Sequence, residues 1–261
     1  MSVNILVWND GTLIKASEFR RPASYVLQRV HTLGYKASNI HRHIMLLRES
    51  SAELFGFMSL CETEDAEKII SQLLQASRVS PRLSCAVAMR LDAEGHLSFE
   101  VENPTFYCGA SMRAKRLRGT YLRATPPVEV CQNSITVAID AMNEGRIRGF
   151  GDTPLWVDDN NEIISRPWRP VFAIFNSVVY TPTEHNSVEY IVVREAIARA
   201  GFKLVVHALP IKSIAKMDEV FEADIMGITS FSSIGGHGLL FIATSKIADN
   251  MQPKPTAENI F

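Results

Sequence analysis

The sequence predicts an α+β fold in two domains, and three observations carry that reading. Helix-like and strand-like stretches mix along the chain without the strict strand–helix–strand rhythm of a doubly wound sheet. The 261 residues, 46% hydrophobic and 21% charged, suit one large domain or two moderate ones and exclude a disordered chain. Asn103-Pro104 and Cys108-Gly109 interrupt the pattern and read as a linker. They divide the chain into a smaller N-terminal domain, 1–108, and a larger C-terminal one, 109–261.

In order along the chain, residues 3–8 (VNILVW) read as a strand closed by the turn Asn9-Asp10-Gly11. Residues 42–55 read as a helix, with Ile44, Leu47, Ser51 and Leu54 at spacings of three and four on one face. Residues 63–77 repeat the signature: Thr63 can cap, and Ile69, Ile70, Leu73 and Leu74 form the inner face. Two strands, 84–91 and 97–102, flank a turn in which Gly95 is free to take positive φ. Residues 112–123 carry Arg113, Lys115, Arg116, Arg118 and Arg123 with no acid. They read as a solvated strand or, more sharply, as an anion-facing patch. Residues 134–142 form an apolar segment of helical character. Strands at 154–157, 171–175 and 177–180 follow, then a helix at 188–200 stopped by Gly201. A strand at 203–208, a helix at 211–217 and strands at 219–225 and 228–231 complete the order before a final helix.

Composition narrows the function classes. Lys+Arg 27 against Asp+Glu 28 gives a formal charge of −1, without the basic excess of a general nucleic-acid binder. Cys61, Cys85, Cys108 and Cys131 are far apart with no CxxC pair, so neither a zinc site nor a disulfide framework is expected. No basic-then-apolar leader is visible and no stretch reaches the length of a membrane span. A cytoplasmic protein with no membrane and no nucleic-acid partner is the expectation.

The C-terminal half carries a more specific pattern. Trp156-Val-Asp-Asp-Asn-Asn-Glu-Ile-Ile164 is followed by Val171-Phe-Ala-Ile-Phe-Asn-Ser-Val-Val-Tyr-Thr-Pro182. Arg194–Gly201, Met217-Asp-Glu-Val-Phe221 and Met226-Gly-Ile-Thr229 complete it. In order and spacing this resembles the class IV (fold type IV) pyridoxal-phosphate family over about residues 128–245. That family holds branched-chain and D-amino-acid aminotransferases and aminodeoxychorismate lyase. Val3–Leu13 and His43–Leu54 resemble its N-terminal half more loosely. The resemblance implies its two-domain α+β fold, pyridoxal phosphate as cofactor, an active cleft between domains and a homodimer.

Pyridoxal chemistry needs a lysine for the internal aldimine, donors for the phosphate, and a carboxylate for the pyridine nitrogen. At the family's lysine position stands Asn133, and among nine lysines the nearest on its N-terminal side is Lys115, eighteen residues away. Ser165 falls where the pyridine carboxylate belongs, with Glu162 three residues too early. Leu46 takes the place of the phosphate arginine, His185-Asn186-Ser187 that of a glycine-led helix start, and Asp224 that of a small hydroxyl pair. These departures, taken together, predict that the cofactor site is degenerate and that no pyridoxal phosphate is bound.

Other groups then come forward. Arg166 and Arg169 flank Trp168 in the loop Ser165–Pro170, and two guanidiniums beside an aromatic plate suit a carboxylate. Equally, they fill an emptied cavity and pair with local acids. His41-Arg42-His43 reads as a solvated helix start and Cys131 as a buried structural thiol. Gly235–Gly238 reads as a turn, with its amides as a weaker anion site. Ser230, His237 and Asp224 can be drawn as a triad but lack a nucleophile elbow. The expectation is a divergent aminotransferase-class-IV-like protein that binds or converts a small anionic metabolite (an amino acid, keto acid or chorismate-like molecule) in the interdomain cleft. Arg166, Arg169, Trp168, Arg113 and Lys115 are its binding residues. The alternative is an active pyridoxal-dependent aminotransferase or aminodeoxychorismate lyase with an atypically placed lysine. A structural subunit that pairs with an active homologue is a third possibility.

Overall fold

A computed structural model describes residues 6–105, 116–123, 132–148 and 152–251. The chain divides into two compact units, one of Met1–Cys108, Glu129–Ile135 and Lys254–Phe261, the other of Gly109–Val128 and Thr136–Pro253.

Unit 1 contains β1 (Leu6–Asn9), β2 (Thr12–Lys15), β3 (Tyr25–Leu33), β4 (Lys36–Ala37), helices α1 (Ile40–Phe55) and α2 (Thr63–Ala76), β5 (Ser84–Asp92) and β6 (Leu97–Thr105). Asp10 and Gly11, both at positive φ, make the turn between β1 and β2 that their sequence predicts. The strands form one antiparallel sheet in the order β2-β1-β6-β5-β3-β4. The two helices lie on one of its faces, where Ile44, Leu47, Ile70, Leu73 and Leu74 meet Val26, Val30, Val87, Met89 and Phe99. The sequence reading passes over β3. Gln28, Arg29 and His31 interrupt its apolar alternation, yet Arg29 pairs with Glu102 at 2.8 Å and Gln28 accepts from buried His43.

His43 therefore corrects the expectation of a solvated imidazole: only His41 of that cluster is exposed. Its Nδ1 lies 2.7 Å from Gln28 Oε1, and burial pushes its pKa down to about 3. Burial likewise pushes His31 down to about 4. The unfolded chain protonates both near 6.5. Below that pH the unfolded state binds more protons, so stability is full above about 6.5 and is lost as pH falls toward the folded pKa values. Urea melts at pH 7 and pH 5 are expected to differ by about 3–4 kcal/mol from these two groups together. His43→Asn should flatten about half of that slope, and equal stability at both pH values would contradict the burial.

The chain continues through β7 (Leu117–Arg123), β8 (Gln132–Asn133), which pairs with β3, and α3 (Ser134–Arg148). Unit 2 adds β9 (Asp152–Val157), β10 (Val171–Phe175), β11 (Val178–Thr181), α4 (Val188–Arg199), β12 (Lys203–Val206), α5 (Ile211–Ile214), β13 (Glu219–Asp224), β14 (Gly227–Ile234), β15 (His237–Gly238) and α6 (Ile242–Asp249). Its sheet runs β12-β11-β10-β13-β14-β7-β9, with β15 paired to β14. Several elements differ in length from the sequence expectation: β6 runs on to Thr105, α3 extends past Met142, β12 stops at Val206, α5 stops at Ile214, and β14 runs on to Ile234. Ser187 caps α4 by accepting from the Tyr190 N–H, and Gly201 ends it at φ +81°.

Alternation along the strands sorts the core of unit 2. Phe172, Ile174 and Phe221 face α4 and α6, where Phe172 stacks on Phe221 at 5.1 Å and on Tyr190 at 5.8 Å. Val171, Ala173, Val220 and Phe231 face the other way, onto Leu155 and Ile163. Gly119 lets β7 approach β14, for a Cβ there would stand 2.8 Å from Ile234. Among the described residues no helix is long and apolar enough to cross a membrane.

Candidate functional site

The loop before β10 is built by its prolines. Pro167 stands second in the turn Arg166-Pro167-Trp168-Arg169, where a fixed φ is favoured, and the Arg169 N–H closes it on the Arg166 carbonyl at 3.1 Å. Ser165 Oγ accepts from the Val171 N–H at 3.1 Å and lies 3.2 Å from His185 Nε2. The turn thus sets both arginines and Trp168 against helix α3.

Two carboxylates one helical turn apart receive them. Asp140 pairs with Arg166 and also accepts from Trp168 Nε1 at 3.1 Å. Glu144 pairs with Arg169 at 3.0 Å. Arg166, 5% exposed, lies with its guanidinium carbon 3.9 Å from the Trp156 ring centre and 5.6 Å from that of Trp168. Burial, with Arg169 adding to it, pushes its pKa down to about 10, so it stays charged against Asp140 at neutral pH.

Arg169 meets two more acids on β13. Residues Val220, Glu222 and Asp224 alternate onto one face, and pairing of Val171 with Glu222 brings the loop alongside them. Glu222 Oε1 lies 3.8 Å from Arg169 Nε and Asp224 Oδ2 lies 3.7 Å from Nη2. Burial alone would lower the Arg169 pKa, but Glu222, Asp224 and Glu144 outweigh it and push it above the ordinary arginine value. Among the described residues, both guanidiniums are thus already matched by carboxylates of this chain. Asp140, Glu144, Trp156 and Glu222 are site residues that the sequence reading missed. The visible signal was acids spaced by four on the helix and arginines spaced by three on the loop.

The remaining candidates fall as follows. Asn133 ends β8 and is buried, and its Oδ1 accepts from the Ile135 N–H at 3.0 Å at the start of α3. Leu46 is buried on α1. Ser187, at the N-terminus of α4, donates its hydroxyl proton to the Pro167 carbonyl. Arg113, Lys115, Cys108 and Cys131 lie outside the described residues. Arg116 donates to the carbonyls of Phe231 and Leu239, both at 2.7 Å, and Arg123 pairs with Asp159 at 3.8 Å. Gly235 and Gly236, both at positive φ, make the hairpin turn between β14 and β15. Ser230 is buried, Asp224 accepts from the Met226 N–H at 2.7 Å, and among the described residues no hydrogen bond joins Ser230, His237 and Asp224 into a triad. All seven lysines among the described residues are exposed.

No protein-family model matches the chain, and no curated protein resembles it in sequence. Solved structures resemble it in fold. A branched-chain aminotransferase from Thermoproteus uzoniensis, with norvaline, matches at TM-score 0.77 and 16% identity over 94% of this chain and 92% of that one. An aminotransferase from Brucella abortus bound to pyridoxal phosphate matches at 0.76 and 16%, over 94% and 96% of the two chains. A hypothetical aminotransferase from Mycobacterium tuberculosis, in its α-ketoglutarate and PMP bound form, matches at 0.77 and 12%, over 94% and 98%. The chain has the class IV aminotransferase fold.

Proposed function

We propose that this protein uses the class IV aminotransferase fold without pyridoxal phosphate. The observation that carries the reading is the Ser187–Pro167 hydrogen bond: the helix start suited to a phosphate is engaged by the chain's own backbone carbonyl. Four further features support it. Asn133 cannot form a Schiff base and spends its amide oxygen on a cap. Leu46 offers no charge to an anion. Asp224 and Glu222 would repel a phosphate dianion. Arg166, Trp168 and Asp140 fill the loop that the cofactor ring would need. The residues present therefore do not suit the cofactor.

Borohydride reduction of the protein incubated with pyridoxal phosphate, followed by mass analysis, is the test. No lysine is expected to carry a stoichiometric pyridoxyl group, and no aldimine absorption band is expected. A lysine modified in stoichiometric amount would instead support the alternative, a pyridoxal enzyme with an atypically placed lysine.

The small carboxylate-bearing ligand that the sequence suggests would use Arg169, whose side chain is partly open to solvent at 22%. Glu144, Glu222 and Asp224 stand against it and would repel a ligand carboxylate as they would a phosphate, which favours a brace over a contact. Arg169→Ala is then expected to lower the melting temperature and to leave the calorimetric response to a dicarboxylate such as α-ketoglutarate unchanged. An affinity weakened by about 1.5–3 kcal/mol, with the fold intact, would show Arg169 to be a ligand contact.

A further inference from the structure

The helix pair of unit 1 presents a surface that its own stability does not explain. The connection from α1 to α2 holds Met58 and Leu60, 61% and 91% exposed, on either side of buried Ser59. Leu54, which its helical spacing places on the inner stripe, is exposed as well. The connection is held firmly. The Gly56 N–H closes α1 on the Ala52 carbonyl, the Ser59 N–H donates to Ser51 Oγ at 3.1 Å, and Arg48 donates to the Cys61 carbonyl at 2.9 Å. Phe55 and Phe57 stack at 6.0 Å beside it. A held backbone thus keeps two large apolar side chains in water, where they forgo the free energy of burial.

The same stretch is acidic. Glu49, Glu53, Glu62, Glu64, Asp65 and Glu67 are all exposed, and the cations between residues 45 and 68 are Arg48 and Lys68. Arg48 pairs with Glu62 at 2.6 Å and Lys68 with Asp65 at 3.7 Å. Glu49, Glu53, Glu64 and Glu67 have no ion pair among the described residues. Glu64 and Asp65 stand in the first turn of α2, where the helix dipole favours them. Glu53 has no such excuse. It sits in the last turn of α1, which holds no base, and there the dipole disfavours a negative charge.

We propose that this face docks a basic, apolar-faced helical segment of a partner protein. Its apolar side chains cover Met58 and Leu60, and its lysines or arginines reach Glu49, Glu53, Glu64 and Glu67. Charge selects this occupant. A nucleic acid or an anionic bilayer would set phosphates against carboxylates. A second copy meeting the face symmetrically would set the same acids against each other. The fixed connection keeps the ordering cost of binding low.

The test uses the full chain and a fluorescent designed helix of leucine and lysine, with a leucine–glutamate helix of the same pattern as control, read by anisotropy. Saturable binding of the lysine helix is expected, weakened by added salt and absent for the control. The double variants Met58→Ser/Leu60→Ser and Glu49→Gln/Glu53→Gln should each weaken it by about tenfold or more while melting like the parent. Equal affinity for Met58→Ser/Leu60→Ser and the parent would reduce the effect to general charge attraction and overturn the proposal. So would a lack of saturable binding. Self-association of the parent that Met58→Ser/Leu60→Ser abolishes would also overturn it, by assigning the face to a second copy.

Discussion

Arg166→Ala is expected to destabilise unit 2 by about 3–5 kcal/mol, because it leaves the Asp140 carboxylate in a half-buried place without its cation. It also removes the guanidinium packed on Trp156, whose indole face loses its partner. In a chain of this size that corresponds to a fall in melting temperature on the order of 10 °C. The expectation has a sharper companion. Removing both charges together, as Arg166→Met with Asp140→Leu, should recover much of the loss, since a buried pair often does no better than apolar groups of similar volume. Calorimetric melts of the single and double variants decide. A single variant within about 2 °C of the parent would mean that the pair does not hold the loop.

Glu219→Ala should be nearly as damaging, at about 2–4 kcal/mol. Glu219 begins β13, yet it is buried on the face that meets α6. Its carboxylate accepts from the Ala243 N–H at 2.8 Å and from the Thr244 N–H and hydroxyl, both at 2.7 Å. The two N–H groups are donors that the first turn of a helix leaves unsatisfied, and the helix dipole favours a negative charge there. Alanine would bury three donors without an acceptor. Glu219→Gln keeps one oxygen and the shape but loses the charge, so it should fall between the two. Urea unfolding with intrinsic tryptophan fluorescence measures both, and a Glu219→Gln variant weaker than Glu219→Ala would contradict the account.

Much of this was legible beforehand where local chemistry decides the outcome. Asp10-Gly11 made a turn, Gly201 ended α4, and VFAIF made the strand β10. The loop Arg166–Arg169 drew attention by its residue types alone. Its partners did not, because α3 read as an apolar segment ending at Met142, and Asp140 and Glu144 matter only once the helix is laid against the loop. β3 escaped for a related reason. Gln28, Arg29 and His31 look like solvent-facing residues until His43 and Glu102 arrive from distant parts of the chain. Leu54 erred in the opposite direction: its spacing is right for the inner stripe, but the last turn of α1 exposes it, so periodicity alone placed it on the wrong side.

The bond from Ser187 to the Pro167 carbonyl has a historical consequence. On the reading proposed above, a lineage that let its loop settle onto the start of α4 could not retrace its steps one mutation at a time. Restoring a lysine at position 133 would strip α3 of its Asn133 cap while the loop still occupied the helix start, so the change would carry a cost and no benefit. Loosening the loop first would strand Asp140 before any cofactor could bind. Each reversion is unfavourable until the others are in place, and such a ratchet leaves selection free to reshape the fold for other uses.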